Sequence, residues 1–242
     1  MTWVKEGTPP VILVHGFLGT RGTMVPLTRR LQADGLIVFS HAHGTFNMAS
    51  IRASAEGLMS QIRQICDELE VPRVDVVGFS MGGLIALHAI KFLQGHQHVR
   101  RLCTLGTPFM GSWVSLAGIA CIGALCPSVW QIVPGSTFLA ELHGPPIPAC
   151  VRVRQIHASQ DAFVPVRGRL EGVRREDYLV LPGGHSSLVV AEHFYAAVHD
   201  FIAADEPTTS KLRTETPIPD LEVPSEESRH SALWPAGETG QI

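Results

Sequence analysis

Val76-Val77-Gly78-Phe79-Ser80-Met81-Gly82-Gly83 is the stretch that decides the fold. β-Branched residues at Val74, Val76 and Val77 run into Gly-x-Ser-x-Gly, and Leu84 to Leu93 then reads as a helix. The order is strand, sharp turn, helix. Reversing a strand into a helix within one residue strains the backbone of Ser80, and Gly78 and Gly82 let neighbouring segments pass closely. The Ser80 hydroxyl then projects from the carboxyl edge of a sheet. It lies beside helix N-terminal N–H groups that favour developing negative charge.

Working outward, Pro9 to Val14 is a continuous apolar run, as expected of a parallel strand buried on both faces, and it ends at His15-Gly16-Phe17. Thr23 to Ala33 reads as a helix capped by Thr23, and Leu36 to Ser40 as a second strand. From Asn47 to Leu69, apolar Ile51, Ala55, Leu58, Ile62, Ile65 and Leu69 recur every three or four residues, a one-faced helix stopped by Pro72. Arg73 to Phe79 leads into the turn, and Val99 to Leu105 is a fourth strand ending at Gly106-Thr107-Pro108. Val151 to His157 and Tyr178 to Leu181 are the fifth and sixth, and Ser186 to Ala203 is the last helix. The alternation predicts an α/β fold of about six mostly parallel strands with helices on both faces. Its ligand crevice lies beyond the carboxyl ends of the strands.

Two stretches break this rhythm. Phe109 to Ala149 is apolar, rich in glycine and proline and charged only at Glu141, so it predicts an insertion capping the sheet. Residues 206–242 lose periodicity in Pro, Thr, Ser and Glu and predict a disordered tail after a domain of residues 1–205.

Composition narrows the partners. Of 242 residues, 45% are hydrophobic and 17% charged, and 19 basic against 22 acidic residues leave a net charge of −3. No basic cluster exceeds a pair such as Arg100-Arg101, which argues against nucleic acid. The first seven residues hold no apolar run or cleavage site, so the default expectation is a cytoplasmic protein; a mature secreted form would begin the same way. Five cysteines show no metal-ligand spacing. Cys66, Cys103 and Cys150 read as small core residues; Cys121 and Cys126 are close enough to pair, although the odd total argues against a disulfide framework.

Acyl transfer needs a nucleophile, a base, a group to orient the base, and donors for the oxyanion. Ser80 fits the first role. His185, in Pro182-Gly183-Gly184-His185 after the last strand, fits the second, and Asp161, in the loop after the fifth, fits the third. The backbone N–H groups of Met81 and Phe17 would form the oxyanion hole. The order Ser, Asp, His is the one expected when the nucleophile rides such an elbow.

With His15-Gly16-Phe17, the elbow, Leu105-Gly106-Thr107-Pro108, Pro134-Gly135-Ser136-Thr137-Phe138-Leu139, Asp161 and Gly184-His185 in place, the chain resembles the α/β-hydrolase superfamily over about residues 9–203. Within it, the chain looks like bacterial triacylglycerol lipases and carboxylesterases, in a minimal version of the fold. The Gly-Thr-Pro and Pro-Gly-Ser segments are also similar to those of membrane-lipid deacylases. The resemblance implies a serine hydrolase of carboxylic esters, lipid or acyl-glycerol esters foremost, working without a cofactor. It also implies a lid over residues 109–149 able to touch a lipid interface transiently; the residues read equally well as a static cap packed on the core. Some such lipases hold calcium near the histidine, but no acidic cluster around Asp161 and His185 suggests a metal here. Acyl transfer to another acceptor, thioester or phospholipid cleavage, and a silent lipid-binding fold are the rival readings.

Other residues compete for the same roles. Asp75 lies inside a strand, while Asp177 and Asp200 lack a place in a post-strand loop with the right order. Of twelve histidines, His15 reads as a loop-shaping residue, His88, His193 and His199 ride helices, and His41 and His43 follow the second strand where they could line the pocket.

Overall fold

The computed structural model describes residues 8–17, 19–41, 49–113, 126–166 and 168–204. Strands β1 (Val11–Val14), β2 (Val38–Ser40), β3 (Val74–Phe79), β4 (Val99–Leu105), β5 (Arg152–Ala158) and β6 (Tyr178–Leu181) form one sheet in the order β2-β1-β3-β4-β5-β6. Every pairing is parallel, where the sequence predicted mostly parallel. The order reverses direction after β2, so the crevice expected of a doubly wound sheet opens near β1 and β3, and β3 carries Ser80 at its end.

Helices α1 (Val25–Ala33), α2 (Ile51–Glu68), α3 (Met81–Phe92), α4 (Pro127–Gln131), α5 (Thr137–His143), α6 (Ser187–Val190) and α7 (Glu192–Ala203) pack around the sheet. Because successive strand residues point to opposite faces, Ile12 and Val14 join Val76 and Leu102 in a core shared with α2, α3 and α5. Val11 and Leu13 join Val77, Cys103 and Ile156 in a second core shared with α1, α6 and α7. Both faces are therefore dry, which is why β1 and β3 are apolar along their whole length.

Several boundaries differ from the sequence reading, each for a local reason. Pro9 and Pro10 precede β1 and add no strand residue. Thr23 does not cap α1: Thr20 accepts from Gly22 N–H, and a 3-10 turn over Arg21–Met24 leads into the helix. α2 begins at Ile51 because Ser50 accepts the Ala53 N–H at 3.1 Å; Asn47 lies outside the described residues. α3 starts directly at Met81 rather than Leu84, so the turn spends no residue between Ser80 and the helix. The last helix breaks at Ala191, whose extended backbone (φ −82°, ψ 145°) separates α6 from α7.

In the 109–149 insertion the described residues contribute α4 and α5 and no strand; residues 114–125 lie outside the described residues, as does the tail. Cys66 and Cys103 are buried as expected, but Cys150 is exposed just ahead of β5, a correction to its reading as a core residue. Cys126 is buried with its Sγ 3.3 Å from Ser128 Oγ; its suggested partner Cys121 lies outside the described residues. Among the described residues no helix is long and apolar enough to cross a membrane.

Candidate active site

The elbow is built from close approaches that exclude side chains. A Cβ on Gly82 would sit 2.1 Å from Val14 O, and one on Gly78 2.6 Å from the Gly83 Cα and N. Gly83 in turn faces Thr107, whose Oγ1 would lie 2.1 Å from an added Cβ. The loops after β1 and β4 thus press on the start of α3 and hold Ser80 at φ 53°, ψ −125°. Such a left-handed conformation costs a non-glycine residue about 1–3 kcal/mol and persists only where its surroundings over-determine it. Ser80 N–H donates to Leu105 O at 2.7 Å, which fastens the elbow to β4.

Gly16 brings the β1 loop onto the serine itself, since an added Cβ would be 2.7 Å from Ser80 Cβ. Of the two residues assigned to the oxyanion role, Phe17 follows Gly16 in the β1 loop, and Met81 follows Ser80 and opens α3. The Met81 N–H is one of the helix's first four donors, which have no partner within the helix. His15, expected to shape this loop, places Nδ1 3.0 Å from Gly16 O.

Asp161 follows β5 by three residues and His185 follows β6 by four. Their side chains meet: His185 Nδ1 lies 2.6 Å from Asp161 Oδ2. The other carboxylate oxygen accepts the N–H groups of Phe163 at 2.9 Å and Val164 at 2.8 Å. Burial pushes the Asp161 carboxyl up, but His185 and those two N–H groups outweigh it and hold the group below the usual carboxylate range. An ionised Asp161 accepts the Nδ1 proton, which leaves Nε2 as the nitrogen able to take a proton from a hydroxyl.

The pair reaches the elbow through neighbours. The His185 ring centroid is 4.8 Å from that of Phe79, the residue before Ser80, and a Cβ on Gly106 would lie 3.2 Å from both Asp161 Oδ2 and His185 Nδ1. Gly106 itself has φ +55° and stands next to the carbonyl that holds Ser80. Ser80, Asp161 and His185 therefore follow the carboxyl ends of β3, β5 and β6, with Asp161 and His185 in contact and Ser80 Oγ without a hydrogen bond among the described residues.

Most of the competing residues are occupied elsewhere. Asp75 is buried against Arg100, with bonds of 3.0 and 2.5 Å, and Asp177 against Arg152 and Arg154. His193 contacts Pro182 O, and His199 pairs with Asp34. His41 is buried against Gln61, while His43 lies outside the described residues. Among the described residues no group of three or more His, Cys, Asp or Glu could hold a metal ion.

The chain matches the family model described as palmitoyl protein thioesterase over residues 10–133. The chain belongs to the palmitoyl protein thioesterase family. That match runs from β1 through the elbow to the 109–149 insertion, and stops before Asp161 and His185. No curated protein matches the chain at a significant level.

Solved lipase and phospholipase structures share the fold. The propeptide form of the Bacillus licheniformis lipase BlEst2 is 15% identical with a TM-score of 0.68, matching 86% of this chain and 53% of its own. Lipase B of Aspergillus fumigatus is 20% identical with a TM-score of 0.68, matching 84% of this chain and 54% of its own. Phospholipase PlaB of Legionella pneumophila is 18% identical with a TM-score of 0.54, matching 63% of this chain and 38% of its own. The chain thus spans about half the length of the two lipases or less of the phospholipase. At these identities the likeness is one of fold.

Sequence reasoning passed over His157 and read His88 only as a residue riding the elbow helix. His157, four residues before Asp161, is buried with neither ring nitrogen hydrogen-bonded among the described residues. Burial pushes its imidazole below the ordinary histidine range, against the pull of the Asp161 carboxylate. His88 on α3 is similar: it lies between the rings of Phe92 and Phe138 without a hydrogen bond among the described residues. Burial, aided by Arg52 and opposed by Glu141 and Glu56, lowers it too.

These two histidines make stability depend on pH. An imidazole whose folded value lies below its unfolded one binds its proton first in the unfolded chain. Its contribution is therefore intact above the unfolded value of about 6.5 and is lost as pH falls from there toward the folded value. The melting temperature is expected to drop between about pH 7 and pH 5, above the range of ordinary carboxylates. His88→Phe should flatten that slope and add about 1 kcal/mol at pH 6 by removing a buried unsatisfied group. Thermal melts across pH check this; an unchanged slope in the variant would refute it.

Proposed function

We propose that the chain is a serine hydrolase that cleaves acyl esters and thioesters through an acyl-enzyme on Ser80. The observation that carries this reading is the 2.6 Å contact between His185 Nδ1 and Asp161 Oδ2, gathered beside an elbow serine at φ 53°. Ser80 Oγ attacks the acyl carbonyl carbon as its proton passes to His185 Nε2. Asp161 stabilises the imidazolium, and the N–H groups of Met81 and Phe17 receive the oxyanion. Collapse breaks the bond to the alcohol or thiol, which leaves with the proton from His185. Water, deprotonated by the same nitrogen, then releases the acid.

Family membership supports a thioester as well as an oxoester, and a long saturated acyl group. Met110, Trp113 and Val166 are exposed apolar side chains on the two segments beside the site, the one after β4 and the one after β5. Such side chains suit an acyl chain or the lipid surface that delivers it, and exposed apolar clusters commonly bind something. This supports transient lipid contact through the 109–149 insertion.

Initial rates on p-nitrophenyl esters from acetate to palmitate, beside a palmitoyl thioester, test the reading. Turnover of both bond types, rising with acyl length, is the expected result. No turnover of either would overturn the hydrolase reading. A maximum at acetate would overturn the long-chain part alone.

A further inference from the structure

Phe163 sits where packing does not explain it. Its side chain is 53% exposed, yet the backbone on either side of its ring is fastened: its N–H donates to Asp161 Oδ1 at 2.9 Å, and its carbonyl accepts Ser112 Oγ at 2.6 Å. The ring lies 5.4 Å from the His185 ring at an interplanar angle of 50°. Phe79 touches the same imidazole at 4.8 Å and is buried at 7% exposure in the sheet's core, so its place follows from packing alone. Phe163 gains no such burial. His185, although it stands in a loop at the sheet's edge, keeps a side chain only 15% exposed.

We propose that Phe163 is a positioning residue for His185, with Ser112 holding it in place from the segment that begins the 109–149 insertion. The inference rests on the hydrolase reading for its consequence in catalysis, though the geometry it invokes does not. A ring against the imidazole limits rotation about the His185 side chain and keeps water from competing for the Nδ1–H bond to Asp161. The residue touches neither the reacting atoms nor the proton; it acts through His185. The same loop that supplies the acid thus supplies the brace for the base, two residues apart.

Two measurements test this. The first is kcat and KM on a short ester for Phe163→Ala, Phe163→Leu and Phe163→Tyr, with melting temperatures to show that each folds. Loss of orientation at a base typically costs tenfold to about a hundredfold, so Ala and Leu should lower kcat by at least about tenfold with KM within about twofold. Tyr, which keeps the ring, should restore it. If Leu performs as well as Tyr, or if KM moves and kcat does not, Phe163 is a surface for substrate and the proposal fails. The second is the low-field proton resonance of His185 Nδ1–H, which needs no turnover. It should be sharp in the native protein and in Phe163→Tyr and broadened in Phe163→Ala. Equal sharpness in all three would overturn the proposal even if no ester is cleaved, and broadening without turnover would sink the hydrolase reading alone.

Discussion

Ser80→Ala is expected to lower kcat/KM on the best ester or thioester by about 10⁴-fold to 10⁶-fold while the protein melts within a few degrees of the parent. The size follows from what remains. Without Oγ no acyl-enzyme forms, and only water attack assisted by the oxyanion donors and substrate binding persists, a residual of about 10³–10⁴ over the uncatalysed reaction in enzymes of this type. The small effect on stability follows from the elbow. Alanine keeps the Cβ that Gly16 accommodates, and the bond from residue 80 N–H to Leu105 O is untouched. Because Ser80 Oγ donates or accepts no hydrogen bond among the described residues, its removal leaves no buried partner unsatisfied. A serine-directed phosphonate should label the parent and not the variant. Retention of a tenth or more of the activity would place the acyl-enzyme on another residue.

The places of Ser80, Asp161 and His185 after β3, β5 and β6 are readable from sequence because chain order and position after a strand are one-dimensional properties. Gly78 and Gly82 announce close approaches wherever they fall, and the apolar runs of β1 and β3 announce a sheet covered on both faces. The spacing in α2 likewise marks a single buried stripe: Ile51, Ala55, Leu58, Ile62 and Ile65 are all buried along it, whereas Leu69, read as its last member, lies past the final turn and is exposed. What escapes are contacts between loops. Nothing in Asp161-Ala162-Phe163-Val164 reveals that the ring of Phe163 turns to His185, because that depends on a carboxylate gathering two N–H groups and a serine fifty-one positions upstream holding the carbonyl. His157 escapes for a related reason: a histidine in strand alternation looks the same whether it faces solvent or a dry interior. Cys150 was misjudged because its neighbour Val151 is buried while it lies just outside the strand. The break at Ala191 carries no glycine or proline, so only the backbone shows it.

Asp177→Ala should cost about 3–5 kcal/mol of folding stability, the range for removing one partner of a buried ion pair. Asp177 is fully buried where β6 begins and accepts from two arginines: Arg152 Nε at 2.8 Å and Nη2 at 3.1 Å, and Arg154 Nε at 3.0 Å and Nη2 at 2.9 Å. Both guanidinium groups lie over the Phe201 ring, at 5.3 and 4.7 Å, and Arg154 also donates to Ala197 O at 3.0 Å. One carboxylate therefore bridges the two cations by which β5 grips α7 and offsets half of their charge. Alanine would leave two cations crowded on one aromatic face, with side chains only 24% and 13% exposed and little water to take the carboxylate's place. The surface pair Arg30–Glu192 supplies the contrast. At 3.4 Å, with Glu192 77% exposed, its loss should cost less than about 1 kcal/mol. At roughly 2–4 °C per kcal/mol for a chain of this size, Asp177→Ala should lower the melting temperature by about 6–20 °C, and Glu192→Ala by a few degrees at most. Asp161 and His185 lie at the opposite ends of β5 and β6, so Asp177→Ala should keep near-native turnover at temperatures where it is folded. Equal melting temperatures for the two variants would show that Arg152 and Arg154 find water or another partner when Asp177 is gone, and that α7 is held chiefly by the apolar contacts of Phe194, Val198 and Phe201.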